Sequence, residues 1–124
     1  MKKSKPIQIG STTYELYFTI ADLRHIEQEL GKSLISIVLQ GPYTPTQITV
    51  DFLMAVLRYG LHDGDKRRTD EELYDLLDQY CADEAHNLDR LGYELLMALY
   101  DTGFFIPRTA AKTAVPGKKN PLPA

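Results

Sequence analysis

The sequence lacks tryptophan, holds a single cysteine, and contains no long run of apolar residues. Because Cys81 has no second cysteine to pair with, an intramolecular disulfide is excluded. A membrane-spanning helix needs about 20 consecutive apolar residues, and no stretch comes near that length. The basic residues 1–5 are followed by polar residues, whereas a signal peptide needs an apolar stretch of about 7 to 15 residues. We therefore expect a cytoplasmic protein with no membrane partner.

The length of 124 residues fits one domain. We predict a single folded domain over residues 6–105, preceded by a disordered N-terminus over residues 1–5. Residues 106–124 contain four prolines and no apolar periodicity. A segment of that kind buries too little apolar surface to fold alone, so we predict a disordered tail there.

Acidic side chains are confined to one part of the sequence. All 17 acidic residues fall between Glu15 and Asp101, and residues 6–105 hold only seven basic ones, which leaves that body with a net charge of −10. The last nineteen residues contain four basic side chains and no acidic one. Because an acidic body repels phosphates, we expect no nucleic-acid binding by the folded part.

The N-terminal part of the body alternates apolar and polar residues with the period of two that is typical of strands. Residues 6–9 and 14–20 show this alternation, and the turn residues 10–13 lie between them, so residues 6–19 are predicted to form a β-hairpin. One face of its second strand is apolar and should pack on helices: Tyr14, Leu16, Phe18 and Ile20.

Helical patterns follow the hairpin. Thr19 or Asp22 can cap a first helix that ends at Gly31, and its apolar stripe consists of Leu23, Ile26 and Leu30. Residues 34–39 are apolar, and their length fits a short helix or a strand equally well.

A second long helix is predicted over about residues 47–61, with Thr46 as its N-cap and Gly60 as its stop. Its middle, residues 52–57, is apolar on every side, which indicates burial within the fold or against a partner.

Two further helices complete the pattern. Thr69 and Glu72 form the capping box of a third helix with Leu73, Leu76, Leu77 and Tyr80 inward. A last helix over about residues 86–102 ends at Gly103 and carries the stripe Leu88, Leu91, Leu95 and Leu99. The predicted fold class is therefore α+β and mainly α, with an N-terminal β-hairpin packed on a small bundle of four to five helices.

Residues with catalytic or metal-binding chemistry are scattered. The three histidines lie on separate segments, and Cys81 with His86 would need two or more further ligands for structural zinc. A small buried cysteine on the third helix is the better interpretation of Cys81. The Asp63-Gly64-Asp65 run matches a calcium-binding EF-hand loop at too few positions. We therefore expect no enzyme activity, no cofactor and no metal.

The last helix carries a second apolar stripe beyond the one that a packed helix needs. Tyr93, Met97, Tyr100 and Phe104 recur at spacings of four, three and four residues, and Phe105 follows. This stripe is either core covered by the hairpin or an exposed patch of the aromatic and methionine type found at binding surfaces. On the second interpretation these five residues contact a partner.

The order of short motifs along the body resembles a known family. The motifs are Gly10-x-x-x-Tyr14-x-Leu16, Leu23-x-x-Ile26-Glu27-x-x-Leu30-Gly31-x-Ser33-Leu34, Leu57-x-Tyr59-Gly60-Leu61, Thr69-x-Glu71-Glu72, Leu76-Leu77-Asp78-x-Tyr80 and Thr102-Gly103-Phe104-Phe105. Over about residues 8–105 this order resembles the tail assembly chaperones of siphophages, prophages and gene transfer agents.

The resemblance implies a protein of the host cytoplasm that is absent from the mature virion. Such chaperones bind and solubilise the apolar tape measure protein during tail assembly, and recruitment of the major tail tube protein is also implied. Self-association stays open, and the family offers no catalytic residues to carry over.

A different class of function also fits the charge pattern. The acids between residues 63 and 89 could form a carboxylate stripe of an acidic DNA mimic, or of another small phage or prophage regulatory protein. No sequence feature argues for a small enzyme with an unfamiliar site.

Overall fold

The computed structural model describes residues 4–40, 48–62 and 66–105. It confirms the predicted α+β, mainly helical class with an N-terminal hairpin packed on five helices. The elements, in order, are β1 (Lys5–Ile9), β2 (Thr12–Leu16), α1 (Ile20–Leu30), α2 (Leu34–Gln40), α3 (Val50–Gly60), α4 (Asp70–Cys81) and α5 (Leu88–Asp101). The predictions for residues 1–3 and for the tail at 106–124 lie outside the described residues.

The hairpin is tighter and shorter than predicted. Its strands pair antiparallel from Lys5 opposite Leu16 to Ile9 opposite Thr12, so the turn has two central residues and begins at Gly10, where φ is +63°. Positive φ at this position suits glycine, which has no Cβ to clash. Because β2 ends at Leu16, the predicted alternation fails at Ile20, which begins α1 and is exposed.

Helix α1 uses both of the capping residues that the sequence offered. The Asp22 N–H donates to Thr19 Oγ1 at 3.0 Å, and the Thr19 N–H donates to Asp22 Oδ2 at 2.9 Å, which is a reciprocal capping box. The helix ends as predicted at Gly31, whose φ is +67°. The short apolar piece after it is a helix, α2, with Leu34 buried at its start.

Helix α3 begins later than predicted. Its N-cap is Thr49, whose hydroxyl accepts a hydrogen bond from the Phe52 N–H at 3.1 Å. The expected cap, Thr46, lies outside the described residues, but Ile48 and Thr49, which were predicted to be helical, are not. Either threonine can cap a helix by its chemistry. The later start also places Asp51 in the first turn, where its negative charge interacts favourably with the positive end of the helix dipole.

Gly60 is the last residue of α3, but it does not have the left-handed conformation of the predicted helix-stop glycine. Its φ is not positive, whereas Gly103 after α5 has a φ of +80° as a helix-stop glycine should. A Cβ built at Gly60 would lie 2.8 Å from the ring of Phe18. Gly60 is therefore needed for close packing of α3 on the residues that follow β2.

Helices α4 and α5 follow their predicted patterns with two exceptions. Thr69 and Glu72 form the expected capping box, and the inward residues of α4 are buried. Cys81, expected to be buried, is exposed, because it follows buried Tyr80 by one residue and therefore lies about 100° around the helix. Leu88 is also exposed, since it is the first residue of α5 and precedes the buried stripe Leu91, Leu95 and Leu99.

The core is organised around α3, whose residues 52–57 are all buried. Helix α3 contacts α1, α4, α5 and β2, which confirms that its all-round apolar composition reflects burial within the fold. Its end is joined to the hairpin by a backbone hydrogen bond from the Tyr17 N–H to the Gly60 carbonyl at 2.9 Å. Beside that bond, Leu61 pairs with Leu16 as an isolated antiparallel bridge.

Candidate functional site

A groove lies where the hairpin approaches α5. Its volume is about 360 Å³, and its lining residues are Lys5, Pro6, Ile7, Leu16, Tyr93, Glu94 and Met97. One wall comes from the hairpin and the other from the middle of α5. We call this feature the β1–α5 groove. Concave, mostly apolar surfaces with a few polar groups are where proteins usually bind ligands and partners.

The α5 wall of the groove follows from how that helix packs. Leu91, Leu95 and Leu99 are buried in the core, so residues on the side of α5 next to this stripe are directed towards the hairpin. Tyr93 and Met97 stand one turn apart there, and Tyr93 keeps 44% of its surface exposed. An aromatic ring and a flexible thioether are thus accessible in the same depression.

The structure separates the five predicted partner-binding residues into two groups. Tyr93 and Met97 line the β1–α5 groove. Tyr100 and Phe105 are partly buried against the core, whereas Phe104, which follows Gly103, is 40% exposed and is not part of the groove lining. Both interpretations of the second stripe therefore apply, each to different residues. Partner binding by any of the five stays a prediction.

Glu94 is the polar group on the α5 wall. Its Oε1 accepts a hydrogen bond from the buried Tyr80 hydroxyl at 3.0 Å, and Arg90 Nε lies 3.7 Å from its Oε2. Burial raises the pKa of Tyr80 well above its usual range, and the hydrogen bond to Glu94 raises it further. Tyr80 therefore stays neutral and holds the Glu94 carboxylate in place without cancelling its charge.

The hairpin wall was less visible in the sequence. Lys5 lines the groove and forms an ion pair with Asp101 at 3.4 Å, although residues 1–5 were predicted to lie outside the folded domain. Pro6 and Ile7 complete this wall. No local signal marks these residues, because the groove depends on the approach of segments far apart in the sequence. Glu94 was visible in the sequence as the only charged residue between Leu91 and Tyr100.

A second polar cluster, missed by the sequence analysis, surrounds Asp22. The side chain of Asp22 is only 3% exposed, and its carboxylate contacts Arg67 Nη2 at 2.8 Å and His62 Nε2 at 3.0 Å. With the capping hydrogen bond from Thr19, the carboxylate has three partners from two segments. Because every partner is part of the fold, this cluster connects the start of α1 to the segment between α3 and α4.

Beside β2 lies a shallower cavity of about 570 Å³ whose lining is mostly hydroxyl-bearing, with one acid and one histidine: Ser4, Thr12, Thr13, Tyr14, Glu15, Tyr17 and His62. In the part of the chain that the structure describes, no group of three or more His, Cys, Asp or Glu side chains could hold a metal ion. Across the same residues, no helix has both the length and the apolar composition needed to cross a bilayer.

The acids proposed for a DNA-mimicking stripe are only partly available. Asp63 and Asp65 lie outside the described residues. On α4, Asp70 is paired with Arg58 at 2.6 Å and Glu72 serves the capping box. The remaining acids of α4 are exposed at spacings of four and three residues, which places them on one helical face: Glu71, Asp75 and Asp78. Three further acids after α4 are exposed as well: Asp83, Glu84 and Asp89.

The fold and its groove define a small, mainly helical α+β protein with an accessible apolar depression. Comparisons with protein-family models, with curated proteins and with solved structures found no match.

Proposed function

We propose that this protein is a tail assembly chaperone that binds the tape measure protein and keeps it soluble through the β1–α5 groove. The observation that carries the proposal is the exposed Tyr93 beside Met97 in an apolar groove. The order of motifs over residues 8–105 supports the identity of the client, and the same assembly step would bring in the major tail tube protein.

The groove suits this role physically. Burying apolar surface of a client against Pro6, Tyr93 and Met97 removes it from water, which is the main driving force of association. Methionine adapts its shape to different apolar side chains, so one groove can accept successive segments of a long client. The body charge of −10 over residues 6–105 keeps such a complex from aggregating.

The groove favours a protein client over the DNA-mimic alternative. A DNA mimic presents many carboxylates at its contact surface, whereas this depression presents an aromatic ring, a thioether and aliphatic side chains with one carboxylate, Glu94. The three acids exposed on α4 belong to a different surface and form an ordinary solvated helix face.

Co-expression with the tape measure protein tests the proposal. The wild-type chain should keep the client in the soluble fraction, and Tyr93→Asp should abolish this effect because it removes the aromatic ring that supplies apolar surface in the groove. Tyr74→Asp is the matched control, because Tyr74 is 49% exposed on α4 and is not part of the groove lining. Circular dichroism should show both variants folded.

Two results would contradict the proposal. The first is a client that precipitates equally with and without the wild-type chain. The second is equal solubilisation by the Tyr93→Asp and Tyr74→Asp variants. Met97→Glu is the second groove variant and should behave as Tyr93→Asp does.

A further inference from the structure

We infer that the β1–α5 groove selects a partner segment in which an apolar side chain lies next to a lysine or arginine, and that Glu94 contacts this cation. The inference rests on the proposed function and specifies the chemistry of the client segment.

The Glu94 carboxylate is held in a fixed orientation on the wall of the groove. It lies in the groove lining between two apolar residues of α5, Tyr93 and Met97. The buried Tyr80 hydroxyl fixes its orientation at 3.0 Å but brings no charge. A carboxylate held in this way is preorganised to accept a charged donor.

One cation, Arg90, already lies near this carboxylate. Arg90 Nε lies 3.7 Å from Glu94, beyond hydrogen-bonding distance, and the Arg90 side chain is 51% exposed. Its Nη1 donates instead to the Ala85 carbonyl at 3.4 Å. Such an exposed, loosely placed pair cancels little of the carboxylate charge. Lys5 of the groove lining is in a similarly exposed pair, but its partner at 3.4 Å is Asp101, outside the lining.

Covering the groove with a partner costs free energy at Glu94. A partner that covers the apolar walls also removes water from Glu94, and a buried carboxylate without a cationic partner is strongly destabilising. A lysine or arginine beside the inserted apolar side chain removes that cost, whereas an acidic neighbour increases it. The electrostatic field around the groove also favours a cationic segment, since residues 6–105 carry 17 acidic and seven basic side chains.

A random 12-residue peptide display library, selected on the full-length chain, tests this chemistry without the tape measure protein. The wild-type chain should enrich peptides with lysine or arginine within a few positions of leucine, methionine or phenylalanine. On Glu94→Lys the preference for basic residues should disappear. Glu71→Lys makes the same charge change on the exposed face of α4 and should leave the selection unchanged.

A selected peptide then measures the contribution of Glu94. Glu94→Gln keeps an oxygen that can accept the Tyr80 hydrogen bond, so the fold should be retained, and the peptide should bind at least tenfold more weakly. Raising the salt concentration should weaken binding to the wild-type chain much more than binding to Glu94→Gln. Chemical-shift changes should centre on the Met97 methyl group and the Tyr93 ring.

Several outcomes overturn the inference: no enriched peptide, enrichment of neutral or acidic peptides, an unchanged selection on Glu94→Lys, or shift changes away from the groove. Displacement of the selected peptide by a synthetic peptide of residues 106–124 also overturns it, because the occupant is then this chain. If the library selects basic and apolar peptides but the tape measure protein stays insoluble, only the proposed function fails. If the client is solubilised equally by Glu94→Gln, only the present inference fails.

Discussion

Two regions of this molecule treat charged and apolar side chains in opposite ways. Around Asp22 a carboxylate is buried and given three hydrogen-bond donors, two of them from side chains that can carry positive charge. In the β1–α5 groove the apolar side chains of Tyr93 and Met97 stay accessible, and the Glu94 carboxylate is held by one neutral donor. The first region satisfies its polar groups internally, whereas the second leaves both apolar area and a carboxylate accessible to solvent.

A second ion cluster strengthens the first region. Arg58, near the end of α3, contacts Glu29 of α1 at 3.2 Å and Asp70 of α4 at 2.6 Å, and its Nη1 donates to the Arg68 carbonyl at 2.8 Å. One guanidinium thus connects three helices. Polar contacts of this protein thus fix the relative positions of α1, α3 and α4, while α5 keeps the Tyr93 side chain exposed beside the hairpin.

The largest effect on stability is expected at Asp22. In Asp22→Ala the capping box is lost, and Arg67 and His62 lose a buried acceptor, so the free energy of unfolding should fall by about 3 kcal/mol. Urea unfolding measures the change, and Asp75→Ala, which removes an exposed acid of α4, is the control. A decrease as small as that of the control would mean that the Asp22 cluster does not hold the fold.

The next largest effect is expected where α3 meets the hairpin. In Gly60→Ala the new methyl group would lie 2.8 Å from the Phe18 ring and 3.0 Å from Leu16 Cδ2, so stability should fall by about 2 kcal/mol through overpacking. The double variant Gly60→Ala with Phe18→Leu should lose less stability than the sum of the losses of the two single variants. Thermal unfolding compares the variants, and additive effects of the two changes would contradict the proposed steric cause.

A smaller effect, with a dependence on pH, is expected at Tyr80. Tyr80→Phe removes the hydrogen bond to Glu94 and should lower stability by about 1 kcal/mol at neutral pH. Because the folded-state pKa of Tyr80 is raised above its ordinary value of 10.0, its contribution is fully present below that pH and is lost as the pH rises towards the folded-state pKa.

The stability difference between the wild-type chain and Tyr80→Phe should therefore shrink above pH 10, the ordinary pKa of tyrosine. Urea unfolding at pH 8 and at higher pH measures this trend. A difference that grows with pH would show that the Tyr80 hydroxyl is not the protonated donor to Glu94.

The smallest effect on stability is expected in the groove. Tyr93→Asp should change the free energy of unfolding by no more than about 0.5 kcal/mol, as exposed substitutions generally do, while abolishing client solubilisation. Tyr74→Asp should match it in stability but not in function. A loss of several kcal/mol for Tyr93→Asp would place this residue in the core and remove the contrast between the two regions.

Local features of the fold could be predicted from the sequence, and features made by distant segments could not. The Thr69–Glu72 capping box and the glycine stop at Gly31 depend on neighbouring residues only, and both are present. The burial of α3 followed from its uniformly apolar middle. The choice between Thr46 and Thr49 as N-cap could not be made, because both are threonines with the same capping chemistry.

The candidate site shows the same division. Tyr93 and Met97 were identified from their spacing on one helix, and the only charge in that stretch, Glu94, was visible as well. The hairpin wall could not be identified in this way, because the Lys5–Asp101 ion pair joins residues that are 96 positions apart in the sequence. The Asp22 cluster was missed for the same reason, because Arg67 reaches it from a segment 45 residues away.

The backbone hydrogen bond between the Tyr17 N–H and the Gly60 carbonyl has a consequence for cooperativity. The hairpin alone is too small to be stable, and α3 is the helix around which the core forms. Because this bond joins the exit of the hairpin to the last residue of α3, neither element can open there without releasing the other. Hairpin and central helix should therefore exchange their amide hydrogens as one unit, with the Tyr17 amide as slow as those of the core.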